Sequence, residues 1–506
     1  MSEDTLISLF TARVREQPAA NALLWRDTQW TYADLAGASR SVSDALRACG
    51  IQRGDRVAVL LRNSPQYVAA YLGVMSAGAA VLALNAQERA SVLVRQIDHS
   101  AARVLIGDPT HPEWSVLTNL LADKQVRVMP VDVTDGTGAL SAFLGSVGSS
   151  TQRDPQGSEV SHSDLALLIY TSGTTGRPKG VMLSHGNLVS NAVAIASYLE
   201  LAAKDRGFCV LPFHFSYGNS VLTSHLAVGG SVVIEDNLAF PQRSLQRMAH
   251  TRATGFAGVP STFTLLLNRC RFDEFDLGAL RYVTQAGGAM TRTAIAQLKQ
   301  ALPKTRVFVM YGQTEATARI SYLPPERLED KLGSVGVAVA ETAIDVCDTN
   351  GASVPAETVG EIRVRGPGIM LGYWQDPAAT KEVIREGWLC TGDLGRKDAE
   401  GFLYIEGRAV EMIKVGAFRV SPYEVEEAIG LLPDVQEVAV TGMPDEVLGQ
   451  AVKATVVLRQ GAKLQAMEVK AHCRQHLAAY KIPKVVEFTT SLPRTASGKV
   501  QRLQLA

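Results

Sequence analysis

Short apolar runs recur along the first 310 residues of this chain, and segments of helix length separate them. Each run has the length of a strand and is almost entirely apolar, rather than alternating with polar residues. Strands of this kind are buried on both faces, as in parallel sheets covered by helices. The pattern therefore predicts an α/β fold with layered, mainly parallel sheets. The runs are residues 57–61, 104–106, 165–169, 209–211, 231–234 and 307–310.

Length and charge narrow the class of protein. The chain has 506 residues, more than one hydrophobic core usually covers, so more than one domain is expected. Acidic and basic residues number 50 each, which gives no electrostatic argument for nucleic acid or an anionic membrane. Residues 67–84 are apolar but contain two glycines and a serine, which indicates a buried helix followed by a strand rather than a membrane span.

Cysteine usage and the N-terminus indicate the compartment. The six cysteines form no Cys-x-x-Cys, and the nine histidines form no His-Glu-x-x-His. Neither a disulfide framework nor a zinc site is therefore predicted. Residues 1–4 are acidic where a secretory signal would be basic. We expect a cytoplasmic protein.

The sequence pattern changes near residue 360. Segments 361–366 and 401–407 alternate polar and apolar residues, which predicts exposed β-structure. Strands are predicted at 437–441 and 452–458, with a helix at 466–480. We expect a large N-terminal domain of several subdomains (1–408), a hinge (409–412) and a small α+β C-terminal domain (413–506).

Residues 170–180 form a loop rich in glycine and hydroxyl groups, Tyr-Thr-Ser-Gly-Thr-Thr-Gly-Arg-Pro-Lys-Gly. Gly173 and Gly176 allow the chain to curl with its N–H groups turned inward, and Lys179 adds a positive charge. These parts suit a polyphosphate. The spacing differs from the common P-loop, in which Ser or Thr follows the lysine. A polar turn between a strand and a helix is the alternative interpretation.

Three further segments each place a charged residue of interest among small or hydroxyl residues. Glu315 follows a predicted strand and is suited to a magnesium ion that bridges phosphates. Asp393 lies in a turn and is suited to a ribose diol. Lys499 lies on a terminal loop. Taken singly, each is more simply an exposed side chain.

The order of these segments resembles that of the adenylate-forming enzymes, which include acyl-CoA synthetases, adenylation domains of nonribosomal peptide synthetases and firefly luciferase. The resemblance covers nearly the whole chain and is strongest to free-standing acyl- and aryl-CoA ligases. The segments that carry it are 170–180, 286–289, 311–315, 391–393, 407–408 and 493–499.

The resemblance implies a site for ATP and Mg²⁺. Lys499 would stabilise the charge that develops between the carboxylate and the α-phosphate. Thr314 would contact the α-phosphate, Glu315 would hold Mg²⁺, and Asp393 with Arg408 would bind the ribose. The β- and γ-phosphates would contact Thr171, Ser172, Gly173, Thr174, Thr175, Gly176 and Lys179. The adenine would lie against Gly287, Gly288, Ala289, Tyr311 and Gly312.

The resemblance also places the acid pocket in residues 211–220. His214 would gate the carboxylate end of the acid. Ser216 stands where relatives that activate amino acids have an aspartate, and residues 211–234 contain no acidic residue. An unpaired buried ammonium is costly, so we expect a fatty, aromatic or cyclic acid without an α-amino group. The other pocket residues are Phe215, Asn219, Val259 and Gly312.

The hinge region departs from the family pattern. The usual hinge Asp or Lys is replaced by Val410, followed by Glu411. In Lys414-Val415-Gly416-Ala417, Ala417 stands where the family has a glycine that lines the route of the thiol. Adenylation is expected to be unaffected by these departures. The step that they would affect is the second half-reaction, in which the thioester forms.

The acceptor is left open by the sequence. The chain ends at Ala506 with no fused carrier domain, so CoA or a separate carrier protein is expected to supply the thiol. Ala417 is the one feature that favours an amine acceptor and an amide product. A catalytically silent nucleotide-binding relative is the third alternative, and it is opposed by the intact residues Lys179, Glu315, Asp393 and Lys499. A homodimer is left open.

Overall fold

The computed structural model describes residues 4–133, 160–171, 179–235, 238–408, 411–415, 418–445, 448–495 and 498–505. It confirms the predicted α/β class, with large sheets rich in parallel strands and a smaller C-terminal domain. The helices are α1 (Leu6–Glu16), α2 (Tyr32–Ala48), α3 (Pro65–Ser76), α4 (Ala90–Ser100), α5 (Trp114–Leu121), α6 (His185–Leu199), α7 (Ser216–Ala227), α8 (Pro241–His250), α9 (Pro260–Arg269), α10 (Arg292–Ala301), α11 (Pro377–Val383), α12 (Pro422–Gly430) and α13 (Ala466–His476).

The strands follow the predicted apolar runs in the first part of the chain and alternating segments in the second. They are β1 (Asn21–Trp25), β2 (Thr28–Thr31), β3 (Arg56–Leu60), β4 (Ala80–Ala83), β5 (Val104–Gly107), β6 (Arg127–Pro130), β7 (Leu165–Thr171), β8 (Lys179–Ser184), β9 (Arg206–Cys209), β10 (Ser231–Ile234), β11 (Gly255–Gly258), β12 (Tyr282–Gln285), β13 (Arg306–Tyr311), β14 (Ser321–Tyr322), β15 (Val337–Ala338), β16 (Ala343–Cys347), β17 (Gly360–Arg365), β18 (Gly372–Tyr373), β19 (Ile384–Arg385), β20 (Trp388–Lys397), β21 (Leu403–Arg408), β22 (Ile413–Val415), β23 (Phe418–Val420), β24 (Val435–Asp445), β25 (Gly449–Leu458) and β26 (Val485–Thr489).

Two large sheets form the body of the N-terminal part. One has the strand order β15-β14-β13-β12-β11-β9-β10-β1-β2, and the other the order β18-β8-β7-β4-β3-β5-β6. The central strands of both are parallel, and their residues are buried on both faces. The buried helix α3, which Ser64 caps, packs in the core that both sheets share. The carboxyl ends of β11, β12 and β13 all lie at one edge of the first sheet.

Two smaller sheets complete the fold. One has the order β16-β17-β20-β19 with β21 paired to β20, and the other the order β23-β22-β25-β24 with β26 paired to β25. The second of these packs on α12 and α13 around its own apolar core. It contacts the N-terminal part through an ion pair of Arg292 with Glu427 and a hydrogen bond from Arg459 to Asn268.

Three local predictions differ from the structure. The loop after β7 leads into a second strand, β8, before helix α6 begins, so the alternative of a strand-to-helix turn is wrong. The helix predicted at 466–480 ends at His476, because Leu477 is extended and a single 3₁₀ turn follows. The run at 209–211 contributes only Cys209 to β9, and Pro212 follows it. Among the described helices, none combines the length and hydrophobicity that crossing a membrane requires.

Candidate active site

The predicted phosphate loop is anchored by two paired strands. Thr171 on β7 lies opposite Lys179 on β8 at the base of the loop. Strand β18 pairs with β8 and brings Tyr373 beside Lys179, whose ammonium lies 4.8 Å from the centroid of the tyrosine ring. The ring face attracts the cation and holds it near the loop. The loop residues Ser172, Gly173, Thr174, Thr175 and Gly176 lie outside the described residues.

Tyr373 also contacts the predicted magnesium ligand. Its hydroxyl donates to Oε1 of Glu315 at 3.0 Å. Burial and the charge of Glu315 raise the pKa of Tyr373, which keeps the hydroxyl protonated as a donor. No sequence motif marks this tyrosine, because only the pairing of β18 with β8 brings it here. Lys179, Tyr373 and Glu315 thus form one connected group.

A second group joins three residues from three strands. Tyr311 ends β13, and its hydroxyl donates to Oδ2 of Asp393 at 2.5 Å. Arg408 lies opposite Asp393 in the pairing of β20 with β21, and its Nε lies 3.0 Å from Oδ1. Asp393 is 5% exposed, so burial and both partners fix its side chain. Burial and this carboxylate raise the pKa of Tyr311 well above its usual value.

The segment predicted to contact adenine follows β12 directly. Gly287 has a φ of +86°, and a Cβ there would lie 3.1 Å from Cγ1 of Val259. The carbonyl of Gly288 accepts a hydrogen bond of 2.7 Å from the side chain of Gln285. Gly288 and Ala289 are exposed. The segment is thus a flat, accessible surface of backbone at the carboxyl end of the sheet.

The predicted phosphate and acid contacts meet at the end of β13. A Cβ on Gly312 would lie 1.7 Å from the carbonyl oxygen of Ala318, so only glycine fits at this position. Thr314 begins a 3₁₀ turn, and its hydroxyl oxygen lies 3.2 Å from that of Ser216 at the start of α7. Ser216 therefore lies directly beside the residue assigned to the α-phosphate.

The acid pocket contains buried polar atoms without partners. His214 is buried, its ring centroid lies 4.2 Å from that of Phe215, and its Nε2 has no hydrogen-bond partner in the described part of the chain. Burial lowers the pKa of His214 to about 3, so the ring is neutral. Asn219 accepts a hydrogen bond of 3.3 Å from Tyr71, while its Nδ2 has no partner among the described residues. Such atoms are rare in folded proteins and indicate a site that a ligand completes.

The C-terminal lysine loop lies against the same pocket. Gly498 has a φ of +82°, and a Cβ there would lie 3.2 Å from Cγ2 of Val259 and 3.3 Å from Oγ of Ser261. Val259 thus touches both the adenine segment and the loop that carries Lys499. The C-terminal domain closes over the carboxyl ends of the parallel strands.

Lys499 lies in an open cleft between the two domains. Its side chain is accessible to solvent even though protein surrounds it. Burial in the cleft and the charge of Arg408 lower the pKa of Lys499, and the carboxylates of Asp393 and Glu315 partly oppose this shift. No ion pair engages the ammonium among the described residues, which leaves it available to an anionic ligand.

The hinge residues are described only in part. Oε2 of Glu411 lies 3.3 Å from Nη1 of Arg502, a residue three positions after Lys499. The backbone N–H of Lys414 donates to Oε1 of Gln450 at 2.7 Å. The remaining residues predicted for the hinge and the thiol route, Val410, Gly416 and Ala417, lie outside the described residues.

The residues present fit a magnesium ion bound chiefly by phosphates and water. The described residues contain no cluster of three or more His, Cys, Asp or Glu side chains that could hold a metal alone. Glu315 has one oxygen fixed by Tyr373 and one without a donor in the structure as described. A single carboxylate with substrate phosphates is a usual ligand set for Mg²⁺.

Comparison with known proteins agrees with this geometry. The family model for the AMP-binding enzyme matches residues 10–374, and that for the AMP-binding enzyme C-terminal domain matches residues 424–499. A feruloyl-CoA synthase from an Amycolatopsis species is 36% identical over 491 residues, which cover 96% of each chain.

Solved structures of adenylate-forming enzymes are also similar to this chain over nearly its whole length. An anthranilate CoA ligase, AuaEII, in complex with anthranoyl-AMP has a TM-score of 0.91 and 26% identity, over 99% of this chain and 96% of that one. ATP-bound MatB from Rhodopseudomonas palustris has a TM-score of 0.90 and 31% identity. The alignment covers 100% of this chain and 98% of that one. The similarity therefore spans both the N-terminal sheets and the domain that carries Lys499.

Proposed function

The chain belongs to the AMP-binding enzyme family, and from this premise we propose that it is an ATP-dependent ligase that joins an aromatic carboxylic acid to the thiol of CoA. The observation that carries the proposal is the meeting of two domains at one cleft. The C-terminal domain supplies an unpaired ammonium, Lys499, to a site where the N-terminal domain supplies Asp393, Arg408 and Glu315.

In the first half-reaction, a carboxylate oxygen of the acid attacks the α-phosphorus of ATP. The bond from this phosphorus to the bridging oxygen of the β-phosphate breaks, and pyrophosphate leaves. Negative charge builds on the α-phosphate oxygens, where the ammonium of Lys499 and the hydroxyl of Thr314 stabilise it. Lys179 holds the departing phosphates. A bound Mg²⁺ would supply further positive charge there, with Glu315 as its protein ligand.

The remaining nucleotide contacts orient ATP. Asp393 is placed to accept hydrogen bonds from the ribose hydroxyls, and Arg408 and Tyr311 hold its carboxylate in position. The exposed backbone at Gly287 and Gly288 provides a surface for the adenine. These groups bind the substrate without entering the chemistry, so their effect is on orientation and affinity.

In the second half-reaction, the thiol sulfur attacks the acyl carbon of the adenylate and AMP leaves. We propose that the chain turns about the hinge at 409–412, so that the domain at 413–506 removes Lys499 from the cleft and admits the thiol. The contacts that would have to break include the ion pair of Arg292 with Glu427 and the hydrogen bond of Arg459 with Asn268.

The pocket chemistry supports an aromatic acid whose body carries no ammonium group. Residues 211–234 carry no acidic side chain that would pair with an ammonium, and His214 is neutral. Phe215, whose ring packs beside that of His214, provides an aromatic surface. The relatives named for ferulate and anthranilate act on aromatic acids, which supports the same class here.

CoA is the proposed acceptor because the similar proteins are CoA ligases. A separate carrier protein would use the same thiol chemistry. Ala417 in place of the family's glycine is the sequence feature that favours an amine acceptor instead, since the family pattern implies that a methyl there would narrow the route of the thiol.

The test is a two-stage assay of the purified protein. With ATP, Mg²⁺ and a panel of aromatic and fatty acids, pyrophosphate release is measured first, and CoA, a carrier protein or simple amines are then added. We expect acid-dependent pyrophosphate, followed by thioester with CoA. The absence of pyrophosphate with every acid would contradict the proposal. If pyrophosphate is released and an amide forms but no thioester, the acceptor is an amine rather than CoA.

A further inference from the structure

Arg319 is a buried cation whose charge no acidic side chain balances in the described structure. Only 4% of the residue is exposed. Its Nε donates to the hydroxyl of Tyr198 at 3.1 Å, and its guanidinium carbon lies 4.8 Å from the centroid of the Tyr217 ring. A buried charge without a counter-ion is costly, so its persistence calls for an explanation.

The site of this cation is next to the acid pocket. Arg319 lies seven positions after Gly312, beyond a turn in which Thr317 is left-handed (φ +64°). Tyr217 follows Ser216, the residue that contacts Thr314. The Tyr217–Arg319 pair is therefore joined to the predicted acid pocket through the first turn of α7.

Behind the pair lies a small buried cavity of about 20 Å³, room for about one water molecule. It extends from Thr284 along the sheet face under α7, and Arg319 is the one charged side chain among the described residues that line it. The hydroxyl of Tyr217 lies 2.9 Å from both the carbonyl oxygen and Oγ1 of Thr284. Tyr217 thus bridges α7 and β12 between the acid site and the cavity.

The far end of the cavity is closed by two hydrogen-bonded rings. Nε2 of His225 lies 3.0 Å from the hydroxyl of Tyr282. Gly207 and Gly255 make room for them, since a Cβ on Gly207 would lie 2.7 Å from His225 and one on Gly255 would lie 2.1 Å from Tyr282.

We propose that Tyr217 and Arg319 form the far wall of the acid pocket, and that Arg319 selects a compact acid bearing an acceptor oxygen opposite its reacting carboxylate. The inference rests on the proposed ligase function and specifies its substrate class. The guanidinium has N–H donors beyond the one that Tyr198 accepts, and an oxygen of the acid would satisfy them. A second carboxylate and a neutral carbonyl oxygen share this chemistry.

The test compares acids of similar shape. Pyrophosphate release is measured with para-isopropylbenzoate, para-acetylbenzoate, terephthalate and isophthalate. The last three carry a hydrogen-bond acceptor oxygen para or meta to the reacting carboxylate and are called the acceptor acids. The kcat/KM for each of them is divided by that for para-isopropylbenzoate. We expect at least one ratio of about 10 or more. The acetyl and dicarboxylate arms distinguish a neutral oxygen from a charged one. Ratios at or below 1 for all three acceptor acids would overturn the inference.

The variant Arg319→Met removes the charge and keeps most of the side-chain length. We expect its ratios to fall to about 1, while Arg319→Lys retains part of the preference. Arg306→Met, which removes a surface arginine paired with Glu200, is the matched control and should leave the ratios unchanged. If Arg319→Met does not fold, Arg319→Lys and the wild-type ratios decide the matter.

A merely structural Arg319 would lower the melting temperature without changing the ratios, and that result would also overturn the inference. The outcomes distinguish failure of the proposed ligase function from failure of the role proposed for Arg319. Absence of pyrophosphate with every acid would defeat the ligase assignment and this inference together. Pyrophosphate release with unchanged ratios in both Arg319 variants would defeat only the assignment of Arg319.

Discussion

The two ends of the active site are built differently. At the nucleotide end, charged groups are already held by one another, as in the contacts of Asp393 with Tyr311 and Arg408 and of Glu315 with Tyr373. At the acid end, His214 and Asn219 keep polar atoms without partners in the described structure. The first end is organised before substrate binds, whereas the second depends on the substrate for completion.

This difference assigns separate roles to the two ends. A preorganised group stabilises charge without rearranging during the reaction, so it serves any acid that occupies the pocket. An incompletely satisfied pocket gains most from a ligand that matches its free donors and acceptors. Changes at the nucleotide end should therefore lower activity with every acid, and changes at the acid end should alter which acid is used.

The largest effect is expected from Lys499→Ala. Removing the ammonium of Lys499, which forms no ion pair with the described residues, should lower the rate of pyrophosphate release by roughly 10²–10³ with every acid. Thioester formation from preformed adenylate should change little, since the lysine acts in the first half-reaction. Lys463→Ala, an exposed lysine of the same domain, is the control. A normal adenylation rate in Lys499→Ala would show that the lysine has another role.

Asp393→Asn should come next. The substitution keeps a side-chain oxygen but removes the charge that pairs with Arg408 and that we propose binds the ribose. Loss of a hydrogen bond to a charged group corresponds to about 10–100-fold, which should appear in KM for ATP and be equal for all acids. Asp123→Asn, on an exposed turn, is the control. A change in acid preference instead would break the separation of the two ends.

The acid end should determine part of the pH dependence of stability. His214 has a folded-state pKa of about 3, below its unfolded value of 6.5. Below pH 6.5 the unfolded chain binds a proton that the folded chain does not, so the free energy of unfolding falls as the pH drops towards 3. By pH 5 the loss from this one histidine should reach about 2 kcal/mol.

Denaturant unfolding of wild type and His214→Phe at pH 7 and pH 5 measures this effect. The variant should lose less stability between the two pH values, by that amount. His250→Phe, an exposed histidine, should behave as wild type. Equal losses in wild type and His214→Phe would mean that the His214 ring is not buried in its neutral form.

Tyr373→Phe should produce the smallest effect. It removes the hydroxyl that donates to Glu315 and keeps the ring beside Lys179. Loss of one hydrogen bond of about 1 kcal/mol should raise KM for MgATP roughly fivefold. Tyr480→Phe in the C-terminal domain is the control. An effect as large as that of Asp393→Asn would mean that Tyr373 does more than hold Glu315.

The sequence predicts the nucleotide end better than the acid end, for physical reasons. Glu315, Asp393 and Lys499 lie in short segments whose order along the chain is distinctive, and the structure brings them to one cleft. Tyr373 escaped prediction because its place depends on the pairing of β18 with β8. Lys499 alone would have been read as a solvated tail residue.

At the acid end, the informative feature is that buried polar side chains lack hydrogen-bonding or acidic partners among the described residues. The burial of His214 and Asn219 arises only once the helices and sheets are packed together, and so does the lack of an acidic partner for Arg319 among the described residues. The β7–β8 hairpin was likewise not evident, since the loop sequence reads equally well as a turn into a helix. Short strands such as β18 carry too few residues to show a period.

The most direct test of the division between the two ends is the ratio of kcat/KM for two aromatic acids in paired variants. One variant, Tyr373→Phe, alters the nucleotide end, and the other, Ser216→Ala, alters the acid end. We predict that Tyr373→Phe lowers both values and leaves their ratio within about twofold of wild type, whereas Ser216→Ala changes the ratio by about threefold or more. A changed ratio in Tyr373→Phe together with an unchanged ratio in Ser216→Ala would contradict the account.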